Sequence, residues 1–258
     1  MATSKAVAEK QTTELSLDVN MFEQDAGMLE NMGQDDLALP FLKILSGLDP
    51  LLDNEDIDAR KGDIVNTVTN QVYKGKEGIR VIPCAYQRRF IMWSPRGSGT
   101  GAPMQIFTPT DKRPETRRDP DDNKEYVVGG SGEYIEETHQ HYVIVLNPDG
   151  SAETALLAMK STQLKKSRKW NSMISSLTMQ GSNGPFTPPR FSHVYLLKSI
   201  AEENSKGSWH GWEMSREGPV QDAHLYTRAK AFAESVMQGD VVVKHSDESE
   251  DDVIDPGF

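Results

Sequence analysis

The chain has a single cysteine, Cys84, among its 258 residues. One cysteine cannot form an intramolecular disulfide, and such sparse use favours a reducing compartment. The sequence also has no run of 18 apolar residues, the minimum expected of a membrane-spanning helix. Its first residues, MATSKAVAEKQTTELS, lack the apolar core of a secretory signal. We therefore expect a cytoplasmic protein without a membrane association, located in the host cytoplasm if its origin is viral.

Recognisable catalytic motifs are also missing. The sequence contains no Gly-Lys-Ser/Thr phosphate loop, no nucleophile elbow, no His-Glu metalloprotease pattern and no cysteine pair for zinc. We predict that the protein is not an enzyme and has no catalytic residues, no cofactor and no metal. One alternative stays open: His139 and His141 share a strand face beside Glu136 and Glu137, an arrangement compatible with a metal-dependent nuclease.

Negative charge is concentrated at the two ends of the chain. Residues 1–36 contain two lysines against eight acidic residues, and residues 239–258 contain one lysine against seven. Residues 37–238 hold 25 basic and 24 acidic residues, so the body is close to neutral although the whole chain has a net charge of −11. Acidic ends around a body with local basic clusters are typical of proteins that bind an anionic polymer or a basic partner.

The stretch GIRVIPCAYQRRFIMWSP (78–95) is rich in β-branched and aromatic residues, and it predicts one long strand over 79–93. At about 3.3 Å per residue such a strand would span roughly 50 Å, and strands of that length usually curl. Strict alternation places Ile82, Cys84, Tyr86, Phe90 and Met92 on a core face, interrupted by Arg88. Gln87, Arg89, Ile91 and Trp93 then share the other face. This second face mixes a guanidinium group with aromatic surface, which is the combination that a single-stranded nucleic acid needs. The alternative is a bent strand shared by two packed sheets, with a bulge at Pro83 and solvated arginines.

Other segments predict several hairpins and two helices. The predicted hairpins pair 62–67 with 71–74, 136–146 with 153–159, and 191–202 with 208–216. The predicted helices run from Ser161 or Thr162 to about Met179 and over 220–238, where the second ends at Gly239. A turn or two of helix is also predicted within 37–48. This order predicts a mainly β protein with helices (α+β), folded as a partly closed OB-type barrel with insertions. A generic α+β sandwich is the alternative.

The same pattern predicts three regions. Residues 1–36 form an acidic, largely flexible arm, 37–238 an OB-like nucleic-acid-binding domain, and 239–258 a disordered acidic tail. Within the domain, the Gly- and Pro-rich insertion 94–133 is expected to be a mobile flap with a short strand at 104–108.

Basic and aromatic residues supply the candidate binding site. Cations at the start of a helix oppose its dipole, so helix stability does not explain the cluster before Trp170, whereas a phosphate ligand would. A solvated charged face is the alternative. The predicted phosphate contacts are Arg88, Arg89, Lys160, Lys165, Lys166, Arg168 and Lys169. The predicted stacking platforms for bases are Trp93, Trp170, Trp209 and Trp212.

The C-terminal sequence SDESEDDVIDPGF (246–258) is acidic and ends in an aromatic residue. Such an ending resembles that of bacterial and phage single-stranded DNA-binding proteins, with Gly257 between the proline and the final phenylalanine as a departure. The residues that carry this resemblance are Asp247, Glu248, Glu250, Asp251, Asp252, Asp255, Pro256 and Phe258. The order of β body, helix and acidic tail is also similar to that of the replication proteins of short-tailed phages. The resemblance implies that the barrel holds single-stranded DNA and that Asp251, Asp252, Asp255 and Phe258 recruit replication proteins such as polymerase and helicase or primase.

Our hypothesis from the sequence is a single-stranded DNA-binding protein of phage DNA replication or recombination. A protein-interaction adaptor with acidic ends and no affinity for nucleic acid is the alternative, and a nuclease at the histidine pair is third. The oligomeric state, homo-oligomers included, and the preference between DNA and RNA are open at this stage.

Overall fold

The computed structural model of the protein describes residues 37–95, 97–98, 101–204, 207–241 and 243. The predicted arm, 1–36, lies outside the described residues, and so does the predicted tail, 239–258, apart from 239–241 and 243. Both regions therefore stay predictions. No helix among the described residues is long and apolar enough to cross a membrane.

Strands dominate the described residues, which also contain two α-helices. The strands are β1 (Leu42–Ile44), β2 (Ile64–Asn66), β3 (Val72–Tyr73), β4 (Ile79–Trp93), β5 (Gln105–Phe107), β6 (Thr116–Arg118), β7 (Glu125–Val127), β8 (Tyr134–Leu146), β9 (Ala152–Lys160), β10 (Met179–Gly181), β11 (Gly184–Phe186), β12 (His193–Asn204) and β13 (Gly207–Pro219). The helices are α1 (Gln163–Ser175) and α2 (Ala223–Gln238), and a short 3₁₀ turn covers Arg190–Ser192.

The predicted long strand is confirmed as β4, whose 15 residues pair antiparallel with β8 along almost their full length. The main sheet has the order β13-β12-β4-β8-β7-β6, with β9 also paired to β8 and β5 to β4. The small sheet β1-β2-β3 extends it, because Phe41 bridges to Leu156 of β9. At the other end Ser199 N of β12 donates to Gly75 O at 2.9 Å, just after β3. The predicted α+β fold with a partly closed barrel is confirmed.

Two apolar cores lie on opposite faces of the β4–β8–β9 sheet. On one face, here the α1 face, Trp170 and Ile174 of α1 pack on strand residues such as Val143 and Leu157. On the opposite face, here the α2 face, α2 packs on a second set that includes Tyr142. Burying a large apolar side chain contributes about 1.5–3 kcal/mol, so these two cores hold both helices against the sheet.

Helix α2 shows how local sequence sets the ends of an element. Asp222 caps its start, because the side chain accepts from His224 N at 2.7 Å and Leu225 N at 3.2 Å. Gly239 ends it at φ 87°, in the left-handed region where glycine has no Cβ penalty. The predicted helix and its stop at Gly239 are confirmed, with a start three residues later than expected.

A bulge in β4 corrects the predicted assignment of its two faces. Pro83 pairs with Val143 and Ala85 pairs with Tyr142, so Cys84 is an extra residue on β4. Beyond the bulge the alternation is shifted by one residue. Ile91 is therefore buried, with 1% of its surface exposed, whereas Phe90 is only half-buried. The prediction that Phe90 and Met92 continue the face of Ile82 is wrong for this reason.

Two further predictions are corrected by tertiary pairing. Residues 37–48 contain strand β1 and no turn of helix, because Leu42–Ile44 pair with Ile64–Asn66 of β2. The insertion 94–133 contains the predicted short strand, β5, and also β6 and β7, which the sequence did not reveal. Since β5 pairs with β4 and β7 with β8, the described part of this insertion is built into the sheet and does not hang free as a flap.

Candidate nucleic-acid interface

An aromatic ring and two guanidinium groups lie together on the α1 face, where β4 runs beyond the helix. The Arg113 guanidinium carbon is 3.5 Å from the centre of the Phe90 ring, and that of Arg88 is 4.9 Å from it. Both distances are within the range of cation–π contacts. Phe90 is half-buried and Arg88 is exposed, so solvent reaches this group of side chains.

A carboxylate lies at the centre of the same surface. Glu137 stands directly opposite Phe90 in the β4–β8 register, and its Oε1 is 2.9 Å from Arg88 Nε and 3.4 Å from Arg168 Nη2 of α1. Burial of Glu137 opposes ionisation, but hydrogen bonds from His139 and Arg88 outweigh it, so the pKa of this carboxyl is lowered. We call Arg88, Phe90, Arg113, Glu137 and Arg168 the Phe90 cluster. Two of its guanidinium groups pair with Glu137 and the third, that of Arg113, lies on the Phe90 ring, so the cluster has more positive than negative side chains.

Further cations extend this surface along α1. Lys165 and Lys169 are exposed and have no ion-pair partner in the described part of the chain. The first turn of α1 contains no acidic residue, and the Thr162 side chain makes no capping hydrogen bond. Helix stability therefore does not account for these lysines, and their role as phosphate contacts stays a prediction.

The other side of α1 carries one accessible tryptophan. Trp209 of β13 is half-buried and donates from Nε1 to Glu202 Oε2 at 3.2 Å. The same Glu202 accepts from Lys166 Nζ at 2.5 Å. An aromatic ring therefore lies close to a helix cation on this side too, although Trp209 is on the face of β13 opposite to Trp212 and Met214 of the core. Around the axis of α1, Lys165 and Lys169 lie between Lys166, which is near Trp209, and Arg168 of the Phe90 cluster.

Three of the four predicted stacking tryptophans are buried. The exposed fractions are 7% for Trp93, 0% for Trp170 and 4% for Trp212. Trp93 packs with Ile91 and Tyr134, while the other two belong to the core on the α1 face. The stacking role predicted for these three does not fit this structure, because each indole is packed in a core with little or no surface exposed to a base.

The structure also divides the predicted phosphate contacts between the two faces of the sheet. Arg89 and Lys160 both pair with Thr138, so all three share the α2 face, opposite to Arg88 and Arg168. Arg89 donates to Gln87 Oε1 at 2.5 Å, and Lys160 Nζ lies 3.7 Å from Glu136 Oε2. Arg89 and Lys160 are therefore removed from the surface that contains the other predicted cations.

Sequence reasoning did not assign Phe90 or Glu137 to the binding site, and it counted Arg113 only as one of several basic residues in or near the insertion. The one signal for Phe90 was Pro83, because a proline inside a central strand suggests a bulge, and a bulge moves Phe90 off the face of Ile82. Arg113 lies in the insertion, and its contact with Phe90 depends on the pairing of β5 with β4. No sequence pattern at Arg113 itself indicates that contact.

The histidine pair considered as a metal site is held by hydrogen bonds. His139 Nδ1 and His141 Nε2 each lie 2.7 Å from Ser167 Oγ. In the part of the chain that the structure describes, no group of three or more His, Cys, Asp or Glu residues is placed to hold a metal ion. Cys84 is buried, and burial raises its pKa to about 12, which leaves the thiol protonated and unreactive near neutral pH.

Comparison with known proteins places the chain in a family. A family model for Pam3 phage gp34-like proteins matches residues 8–242, a stretch that contains the Phe90 cluster and both helices. No curated protein and no solved structure matches the chain. The family is named after a phage protein, in agreement with the viral origin expected from the sequence. Because the match covers most of the 258 residues, this chain belongs to the Pam3 phage gp34-like protein family.

Proposed function

We propose that this protein binds single-stranded nucleic acid across its α1 face, as a single-stranded DNA-binding protein of phage replication or recombination. The strand would run from the Phe90 cluster over the exposed side of α1 towards Trp209. The single observation that carries the proposal is the pair of guanidinium groups on the Phe90 ring. A flat aromatic surface beside cations is what a base and its neighbouring phosphate need from a protein.

The geometry suggests how a strand would be accommodated. The Arg113 guanidinium covers the Phe90 ring at 3.5 Å, in a position that a base would take when it stacks on that ring. Arginine is long and flexible, so Arg113 can move aside and bind the adjacent phosphate while the base replaces it. Stacking on one aromatic ring contributes about 1–3 kcal/mol per base. Phe90 and Trp209 would then be the two stacking residues, in place of the buried tryptophans.

The remaining cations of the surface would hold the backbone. Arg88 and Arg168 are shared with Glu137, and phosphate oxygens can compete with that carboxylate for both of them. Lys165 and Lys169 would add contacts along α1. Because every phosphate contact releases counterions, affinity would fall steeply as salt increases.

The acidic tail completes the proposal for the whole chain. Asp251, Asp252, Asp255 and Phe258 would recruit a polymerase, helicase or primase, as the resemblance of the C-terminus implies. A terminal aromatic ring and flanking carboxylates are suited to a partner that offers an apolar hole surrounded by basic residues. Support for this part comes from the C-terminal sequence, which lies beyond the residues matched by the family model.

The test is fluorescence anisotropy with labelled oligo(dT), a duplex of equal length and several salt concentrations, on the full chain. We expect salt-dependent binding that favours the single strand. Phe90→Ala and Arg113→Ala should each weaken binding several-fold, whereas Lys230→Ala on the outer side of α2 should not. No binding to either nucleic acid would refute the proposal and favour the adaptor hypothesis, and equal binding to the duplex would refute the single-strand preference.

A further inference from the structure

A chain of buried hydrogen bonds on the α1 face defines which nitrogen of each histidine carries a proton. Glu137 is ionised and accepts from His139 Nε2 at 2.9 Å, so that nitrogen must carry the hydrogen. Burial lowers the pKa of His139 and keeps the ring neutral, which leaves Nδ1 as an acceptor for the Ser167 hydroxyl at 2.7 Å. The order of donors and acceptors follows from the ionised carboxylate at one end.

The same hydrogen bonds define the tautomer of His141. With its hydrogen donated to His139, Ser167 Oγ can only accept from His141 Nε2, which lies at 2.7 Å. Burial places the pKa of His141 well below its usual value, so this ring is neutral too. Its Nδ1 therefore carries a lone pair and no hydrogen, and this atom is buried without a hydrogen-bond partner. We call the chain of hydrogen bonds from Glu137 through His139 and Ser167 to His141 the relay. It ends at His141 Nδ1, an acceptor that has no donor.

Three neighbouring residues contain buried donors that also have no partner. His141 is stacked on Trp170 with ring centres 4.6 Å apart, and Trp170 contacts Tyr195 at 5.8 Å. Trp170 Nε1, Tyr195 Oη and Arg190 Nη1 are all buried and unpaired. Buried polar atoms are nearly always hydrogen-bonded, so four such atoms on adjacent residues call for an explanation. We call His141, Trp170, Tyr195 and Arg190 the donor cluster.

Arg190 gives this cluster its charge. Its Nη2 donates to Asn171 Oδ1 at 2.7 Å, and its guanidinium carbon lies 5.5 Å from the centre of the Tyr86 ring, which in turn contacts His141 at 5.0 Å. Burial lowers the pKa of Arg190, and no carboxylate in the described part of the chain pairs with its guanidinium group. A largely buried cation without a counter-charge is a strong site for an anion.

We propose that the donor cluster binds a phosphate group that keeps one P–OH. Arg190, Trp170 and Tyr195 would donate to its unprotonated oxygens, and the P–OH would donate to His141 Nδ1. Inorganic phosphate retains an OH group at neutral pH, whereas sulfate has the same shape but no hydrogen to give. The relay therefore makes the site selective for phosphate over sulfate. This proposal does not depend on nucleic-acid binding, because free phosphate is its first probe.

The experiment is calorimetric titration of the full chain with inorganic phosphate and with sulfate, in a buffer free of both, at pH 7. We expect phosphate to bind at least about tenfold more tightly than sulfate, since a site built for a hydroxyl rejects an analogue that lacks it. Arg190→Gln should weaken phosphate binding at least about tenfold. Arg60→Gln, at an exposed loop arginine, is the matched control and should change nothing.

A second variant tests the relay itself. Ser167→Ala removes the hydroxyl that determines the tautomer of His141 and leaves the four cluster side chains in place, so Ser167 acts as a positioning residue. We expect this variant to lose selectivity for phosphate over sulfate more than affinity for anions in general. Circular dichroism checks that both variants fold. If Arg190→Gln does not fold, the selectivity of the unmodified chain still decides the matter.

Three results would overturn the proposal: no binding of phosphate, equal binding of sulfate, or unchanged affinity in a folded Arg190→Gln variant. A competition experiment distinguishes free phosphate from the phosphate at a DNA end as the natural ligand. A 5′-phosphorylated oligonucleotide at pH 6, where much of a phosphate monoester is protonated, is compared with the 5′-hydroxyl form. If only the phosphorylated strand displaces inorganic phosphate, the site holds a DNA end; if neither does, it holds free phosphate.

Discussion

Replacing Glu137 with Gln should strengthen the binding of single-stranded DNA. The carboxylate neutralises two of the three guanidinium groups of the Phe90 cluster, at 2.9 Å from Arg88 and 3.4 Å from Arg168. Glutamine has nearly the same shape and its carbonyl can still accept from His139, so the local packing should persist. Both arginines then become available to phosphates without competition.

The expected size of this effect follows from the exposure of the two ion pairs. The side chains of Arg88 and Arg168 are 43% and 60% exposed, and that of Glu137 is 22% exposed. Pairs as open as these contribute about 0.2–1 kcal/mol each. Releasing both should make about 1 kcal/mol available for binding, which is close to a fivefold gain in affinity. The gain should be largest at low salt, where the phosphate contacts are strongest.

The assay is fluorescence anisotropy with labelled oligo(dT), and Glu217→Gln is the matched control. Glu217 also pairs with an arginine, at 2.7 Å from Arg80, so this control removes the same charge from an ion pair outside the Phe90 cluster. A higher affinity for Glu137→Gln alone supports the proposed surface, and a folding defect cannot imitate a gain. An equal gain in both variants would show a general charge effect, and a loss in Glu137→Gln would refute the reasoning.

Three further predictions concern fluorescence, helix capping and pH. Because the other tryptophans are buried, Trp209→Phe should remove most of the quenching of intrinsic fluorescence by oligo(dT); quenching that persists would show that Trp209 is not a stacking residue. Gly239→Ala should lower the free energy of unfolding by about 1 kcal/mol in urea denaturation, since φ is 87° there; an unchanged midpoint would contradict this. The folded pKa of His141 lies well below 6.5, so its contribution to stability is present above pH 6.5 and is lost as pH falls towards the folded pKa. Thermal unfolding measured from pH 7 down to pH 5 should show a falling midpoint, and His141→Gln should show a weaker decline.

Much of the fold could be predicted from the sequence because its signals are local. The long strand β4 follows from the β-branched and aromatic content of 79–93, and the β8–β9 hairpin follows from the turn Asn147–Gly150, where Gly150 has φ 87°. The candidate site was predicted only in part. Lys165 and Lys169 are exposed on α1 as expected, but Trp170 is a core residue with no exposed surface. A basic run is visible in sequence, whereas the burial of one aromatic ring depends on what packs against it.

Local interactions between near neighbours in the chain determined the long strand β4, the β8–β9 and β12–β13 hairpins and the end of α2 at Gly239, and the sequence was sufficient for these. Contacts between distant segments decided the rest. The extra residue Cys84 shifts the alternation of β4 and turns Phe90 towards the α1 face, and the pairing of β5 with β4 brings Arg113 onto its ring. Both depend on strand register, which is set by the partner strand as well as by the strand itself. The Phe90 cluster and the unpaired lone pair of His141 therefore exist only in the folded protein.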